Sequence, residues 1–137
     1  MKTARRMEVD TALRDEWLGA VDALAAQVAQ WVRQEAEWSF EEENTEEIEE
    51  PLIGQYVITI WSIQTPEGEV RLEPMRRDFL DRQFVELYAW PTLRRVHLLH
   101  NPAAQEWRIL TDSGIYLRQE WNRENFVLLV RDLIAAD

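Results

Sequence analysis

The sequence predicts an α+β fold with a long N-terminal helix, an antiparallel meander of five to six strands and a C-terminal helix. Near both ends of the chain, apolar residues recur at helical spacing. From Leu52 onward, β-branched and aromatic runs alternate with turn residues, which is typical of strands. We expect one domain over residues 1–137, with both helices packed on one face of the sheet.

The N-terminal helix is predicted to begin near Thr11, with Asp10 as its cap. Its apolar residues are three or four positions apart, as Leu13, Trp17, Val21, Leu24, Val28 and Trp31. The pattern extends to residue 37, which gives a helix about 40 Å long. Such a helix either packs across the sheet or projects beyond it and pairs with a second copy, so a homodimer is possible.

Glutamate fills nine of the sixteen positions from Glu35 to Glu50. Residues 1–34 carry five basic and five acidic side chains, and residues 51–137 carry ten and twelve, so the run supplies nine of the eleven net negative charges. Charges of one sign at this density repel one another and resist burial. We therefore predict an acidic loop or linker at about 39–51, closed by Pro51.

Six segments of the remaining chain are expected to be strands. Thr65-Pro66-Glu67-Gly68 predicts a type I turn, and Asp112-Ser113-Gly114 predicts a hairpin. A final helix should follow the cap Asn122 and run to about residue 135, with Phe126, Val130 and Leu133 on its apolar side. The strands are predicted at 55–63, 69–75, 84–90, 93–100, 107–111 and 115–118.

Composition excludes several classes of function. The chain has no cysteine, which excludes disulfides and thiolate chemistry and fits a cytoplasmic location. No stretch approaches the roughly 20 apolar residues of a membrane span. A net charge of −11 argues against direct nucleic-acid binding, because the protein would repel phosphate.

The sequence contains no catalytic or cofactor signature. His97 and His100 are the only histidines, and on a strand they would point to opposite faces and could not share a metal ion. Four glycines are too few for a phosphate-binding loop, and no serine lies in a nucleophile elbow. The glutamate run also lacks the residue order of a calcium loop. We therefore expect no metal, no cofactor and no enzymatic activity.

The charge distribution predicts a protein-binding module, such as an adaptor, an inhibitor or an immunity-type partner. Its acidic segment would steer a basic protein surface into contact, and flanking aromatic residues would add affinity once water is expelled. A nucleic-acid mimic is a further alternative, although one short run copies two phosphate rows poorly. The predicted partner-binding residues are Trp38, Phe40, Glu41, Glu42, Glu43, Glu46, Glu47, Glu49 and Glu50.

A different class of function is a small-ligand binder or enzyme with a pocket between the sheet and the long helix. The pocket would be lined by Trp61, Tyr88, Trp90 and Trp107. The acidic run could also be neutralised by arginines of the same chain, in which case the argument for a basic partner fails. The candidate arginines are Arg76, Arg77, Arg94 and Arg95.

Overall fold

A computed structural model of the protein describes residues 11–50, 54–75, 83–110 and 120–135. Within these ranges the chain forms two helices and a six-stranded antiparallel sheet, which confirms the predicted α+β fold. The helices are α1 (Thr11–Arg33) and α2 (Arg123–Ile134). The strands are β1 (Ser39–Glu50), β2 (Gly54–Thr65), β3 (Gly68–Pro74), β4 (Gln83–Trp90), β5 (Arg95–Asn101) and β6 (Glu106–Leu110).

The sheet is a meander, because each strand pairs with the next one along the chain in the order β1-β2-β3-β4-β5-β6. Strands β2 to β6 correspond to the first five predicted strands, with bounds that differ by at most two residues. The strand predicted at 115–118 lies outside the described residues, as do Asp10 and Pro51.

The prediction of an acidic loop at about 39–51 is wrong, because residues 39–50 form β1. This strand pairs with β2 from Ser39 opposite Gln64 to Glu50 opposite Gly54. The register shifts between Glu42 and Asn44, so Glu43 has no residue opposite it, as in a β-bulge. Backbone pairing with β2, together with the burial of Ile48 and Glu50, places the acidic run in the sheet.

Helix α1 ends at Arg33, four residues before the predicted end at residue 37. The chain must reverse here to enter β1, and Glu37 adopts a left-handed backbone with φ of 68°. At 1.5 Å per residue, α1 is about 35 Å long. Helix α2 agrees with its prediction: Asn122 caps it and accepts a hydrogen bond from the backbone N–H of Asn125 at 2.8 Å.

Both helices share one hydrophobic core with the sheet. Helix α1 packs against β1 and β2, and α2 packs against β3 and β4. The helices meet where Trp31 packs on Phe126, with ring centroids 5.5 Å apart. The core includes Trp17, Leu24, Val28, Ile63, Val70, Leu72, Val85, Leu87, Leu98, Ile109, Phe126 and Leu129.

Strand β2 is covered on both faces near its end. Its buried residues are even-numbered from Tyr56 to Ser62, and Ile63 is fully buried as well. Ser62 and Ile63 lie on opposite faces, because successive side chains of a strand alternate. Both faces of β2 are therefore covered where it pairs with β1 on one side and β3 on the other.

Candidate functional site

Strand β1 forms one edge of the sheet. Among the described strands its one neighbour is β2, and β6 lies at the opposite edge. Within the described part of the chain, no backbone hydrogen bond outside the strand ladder involves β1. The backbone groups that point away from β2 are therefore available to another strand.

Most glutamates of β1 are exposed to solvent. Glu41, Glu42 and Glu43 lie beside the bulge, whereas the others lie further along, where β1 and β2 continue as a pair. Glu47 lies opposite Val57, which is 55% exposed, and Glu49 lies opposite the exposed Gln55. This outer side of the strand pair therefore presents carboxylates around an exposed valine. The exposed set is Glu41, Glu42, Glu43, Glu46, Glu47 and Glu49.

Few of these carboxylates are neutralised by the protein itself. Glu43 accepts a hydrogen bond from Arg71 at 3.3 Å. Among the described residues, the other exposed glutamates of β1 have no salt bridge. Upstream of β1, Glu35 pairs with Arg123 at 3.1 Å and with Arg131 at 3.6 Å. Within the described residues, the acidic charge of β1 is thus largely unpaired.

The arginines considered as possible partners of this charge have other contacts where the structure describes them. Arg94 donates to the backbone carbonyl of Asp132, and Arg95 pairs with Glu86 at 3.3 Å. Arg76 and Arg77 lie outside the described residues. The arginine that does reach β1 is Arg71, which the sequence alone did not single out.

Glu50 differs from the other predicted contact residues because it is buried, with 8% exposure. The hydroxyl of Tyr56 donates a hydrogen bond to its carboxylate. The two residues lie at the end of β1 and the start of β2, so this bond ties the two strands together. Glu50 is therefore a structural residue at the base of the acidic edge.

Trp38 and Phe40, the aromatic residues predicted to contact a partner, are half-buried and face the protein's own core. Trp38 packs edge-on against Phe126, with centroids 6.4 Å apart, and Phe40 stacks on Trp61 at 6.2 Å. Both rings belong to the layer packed against the hydrophobic core. They anchor the start of β1 to the body of the protein.

The four residues of the predicted pocket do not converge. Trp61 stacks on Phe40 on the core side of β2, opposite the buried Leu72 of β3. Tyr88 and Trp90 lie on the other side of the sheet, and Trp107 packs between Trp17 and His100 near the far edge. They therefore do not line one cavity.

A polar network covers the sheet face that carries Tyr88 and Trp90. Arg71 donates to Glu69 at 2.9 Å, and its guanidinium lies 3.9 Å from the ring centre of Trp90. Ser62, which is fully buried, donates to Glu69 at 2.7 Å and accepts from Gln64 at 2.7 Å. Burial acts to raise the pKa of Glu69, but the hydrogen bonds from Arg71 and Ser62 outweigh it and the pKa is lowered.

Tyr88 belongs to the same face and donates a hydrogen bond to Glu73 at 2.9 Å. Burial and this bond to a carboxylate raise the pKa of Tyr88 to about 12. The phenol therefore remains protonated at neutral pH and acts as a donor, not as a base. The network stiffens the middle strands behind β1 and holds Arg71 where it can reach Glu43.

The histidines lie on opposite faces of β5, as predicted. His97 pairs through Nε2 with Glu86 at 3.3 Å, whereas His100 is buried with its Nδ1 2.6 Å from the side-chain oxygen of Gln83. In the ranges that the structure covers, no group of three or more histidine or acidic side chains is arranged to hold a metal.

A surface cleft lies beside the anchoring residue Trp38. It has a volume of about 400 Å³, and Arg131 and Ile134 of α2 form its other side. Glu67 and Thr65 come from the turn between β2 and β3. The cleft combines one cation and one carboxylate with three apolar side chains and the hydroxyl of Thr65, which is hydrogen-bonded to the backbone of its own turn.

Comparisons of the chain with protein-family models, with curated proteins and with solved structures give no match. Neither described helix is long and apolar enough to cross a membrane.

The polar network was not identified from the sequence, although Glu69, Arg71 and Glu73 alternate with Val70 and Leu72. That period of two indicates a strand with one polar face, and it could have identified the network.

Proposed function

We propose that this protein is a noncatalytic protein-binding module that engages a basic protein surface through β1. The observation that supports this most strongly is the exposed acidic edge, where Glu41, Glu42, Glu46, Glu47 and Glu49 have no salt bridge within the described chain. Carboxylates that form no ion pair within the described chain can form ion pairs with a basic partner.

The geometry favours steering over tight intrinsic affinity. Exposed carboxylates attract a basic partner and so raise the rate of encounter. At physiological ionic strength, salt screens this attraction beyond a Debye length of about 8 Å. Each exposed ion pair contributes only about 0–1 kcal/mol. Affinity must therefore come from several pairs together, and binding should weaken markedly as salt is added.

Trp38 and Phe40 take a supporting role in this proposal. Both face the core and fix the start of β1, as Phe40 does by stacking on Trp61. The strand is thus presented on a rigid frame, which lowers the entropy lost on binding. Replacing either ring should impair binding by loosening β1.

The test is affinity capture of partners with the triple variant Glu46→Gln, Glu47→Gln and Glu49→Gln. A matched control carries Glu67→Gln, Glu106→Gln and Glu124→Gln, three exposed glutamates outside β1. Both variants change the net charge equally. We expect the β1 variant to lose at least tenfold in partner recovery at low salt, while the control changes less than twofold.

Equal recovery with both variants would remove the proposal, because net charge alone would then explain the binding. Competition with duplex DNA for the captured partner separates ordinary recruitment from nucleic-acid mimicry. In the mimicry case DNA displaces the module, since both would occupy the same basic surface.

The alternative of a ligand binder or enzyme has less support. The residues expected to line its pocket are divided between two sheet faces and the far edge. The cleft at Trp38 offers a single carboxylate, a single arginine and the hydroxyl of Thr65, and that hydroxyl is hydrogen-bonded to the turn backbone and not to a side-chain base among the described residues.

A further inference from the structure

We propose that the partner contributes an extended basic segment that adds to β1 as a further strand of the sheet. This inference rests on the proposed function and specifies its mode of binding. The observation that carries it is the backbone edge of β1, which is unpaired within the described residues, and the charge of the strand selects the occupant.

The unpaired edge is long. Strand β1 has twelve residues, so it offers about 40 Å of backbone to a neighbouring strand. Alternate N–H and C=O groups along it point away from β2, and none is bonded within the described chain. A guest strand would bond to these groups without displacing any existing contact.

The second half of β1 is the part of the strand that a third strand would stabilise most. In the part of the chain that the structure describes, β3 pairs with residues 61–65 of β2 and not further, so segments 44–50 and 54–60 form a two-stranded ribbon. Helix α1 supports the ribbon, whose Ile48 and Ile58 are buried. Two strands alone are marginally stable, and an added strand would extend the hydrogen-bonded ladder.

Charge excludes a second copy of the same strand as the occupant. Two β1 strands side by side would place glutamates directly beside glutamates, which is unfavourable across a strand pair. The same repulsion protects the edge against aggregation. A segment with arginine or lysine at alternate positions would instead place its cations beside Glu47 and Glu49, which share the exposed face of the ribbon.

The experiment uses the full chain and a synthetic peptide of about ten residues that alternates arginine with threonine, long enough to form a strand. Two further peptides carry N-methyl groups, one on every arginine amide and the other on every threonine amide. Methylation removes the backbone donors on one edge of the peptide strand and leaves the other edge intact. Affinities are measured by calorimetry at low salt.

If a strand is added, one methylated peptide loses at least tenfold in affinity and the other binds within threefold of the parent. Amides of β1 that point outward should also gain protection from hydrogen exchange when the parent peptide is bound. Binding should weaken at least tenfold for the variant Glu46→Gln, Glu47→Gln and Glu49→Gln, and less than twofold for the control Glu67→Gln, Glu106→Gln and Glu124→Gln.

The two proposals fail in different ways. If both methylated peptides bind as well as the parent while the β1 variant binds weakly, strand addition is overturned and electrostatic recruitment stands. If the parent peptide does not bind, strand addition is again overturned, and the capture experiment alone decides the proposed function. If the β1 variant binds the peptide and captures partners as well as the control does, both proposals are overturned.

Discussion

Phe126 is the residue whose removal should destabilise the protein most clearly. It is fully buried in α2 and packs against Trp31, Trp38 and Trp121, with ring centroids 5.5, 6.4 and 5.6 Å away. Through Trp31 it joins the two helices, and through Trp38 it holds the chain that leads into β1. The variant Phe126→Ala would therefore loosen the frame that presents the acidic edge.

The expected loss is about 4 kcal/mol, since Phe→Ala in a core costs roughly 3–5 kcal/mol. Aromatic contacts add about 0.5–1.5 kcal/mol each beyond area burial, so the three contacts of Phe126 keep the expected loss from falling to the low end of that range. With a urea m value of about 2 kcal/mol/M, the unfolding midpoint should fall by about 2 M. Circular dichroism should follow the transition, because tryptophan emission itself depends on this cluster.

A matched control is Leu128→Ala, which alters a half-exposed residue of the same helix. It should cost about 1 kcal/mol, since little burial is lost and alanine favours the helix. A loss below about 2 kcal/mol for Phe126→Ala, or equal losses for the two variants, would refute the view that this aromatic cluster joins the helices and β1.

Two further predictions concern pH and helix capping. Burial lowers the pKa of His100 below its ordinary value of 6.5, although Glu16 opposes this, so unfolding is favoured as the pH falls through 6.5. His100→Gln should therefore reduce the loss of stability between pH 7.5 and 5.5 relative to His97→Gln, and identical urea profiles would contradict this. Asn122→Ala should cost about 1 kcal/mol by removing the cap acceptor, whereas Asn122→Asp should keep most of the stability.

Elements with a strong local pattern could be predicted from the sequence. The spacing of Trp17, Val21, Leu24 and Val28 places one side of α1 in the core, where all four are buried. The cap at Asn122 could be predicted because capping is a local interaction: its side-chain oxygen accepts a hydrogen bond from the backbone N–H of Asn125, three residues away. These features depend on neighbours along the chain, so they need no knowledge of the rest of the molecule.

The candidate site was only partly predictable. The exposure of the glutamates follows from their charge, and the structure agrees for all the predicted members of β1 except Glu50. The roles of Trp38 and Phe40 required knowledge of their partners, because an aromatic residue beside acidic residues serves equally well as an anchor or as a contact. Only the positions of Phe126 and Trp61 show that both rings face inward.

The sequence by itself determined the two helices, most of the meander and the concentration of negative charge in one segment. The tertiary structure alone decided that this segment is an edge strand. Its side chains show no alternation that would indicate a strand, because both of its faces are largely in water. The hydrogen bonds to β2 and the burial of Ile48 beside Tyr56 hold it in the sheet. Strand β2 follows directly along the chain, but the burial also depends on the packing of α1 against both strands, which the composition of the acidic run does not reveal.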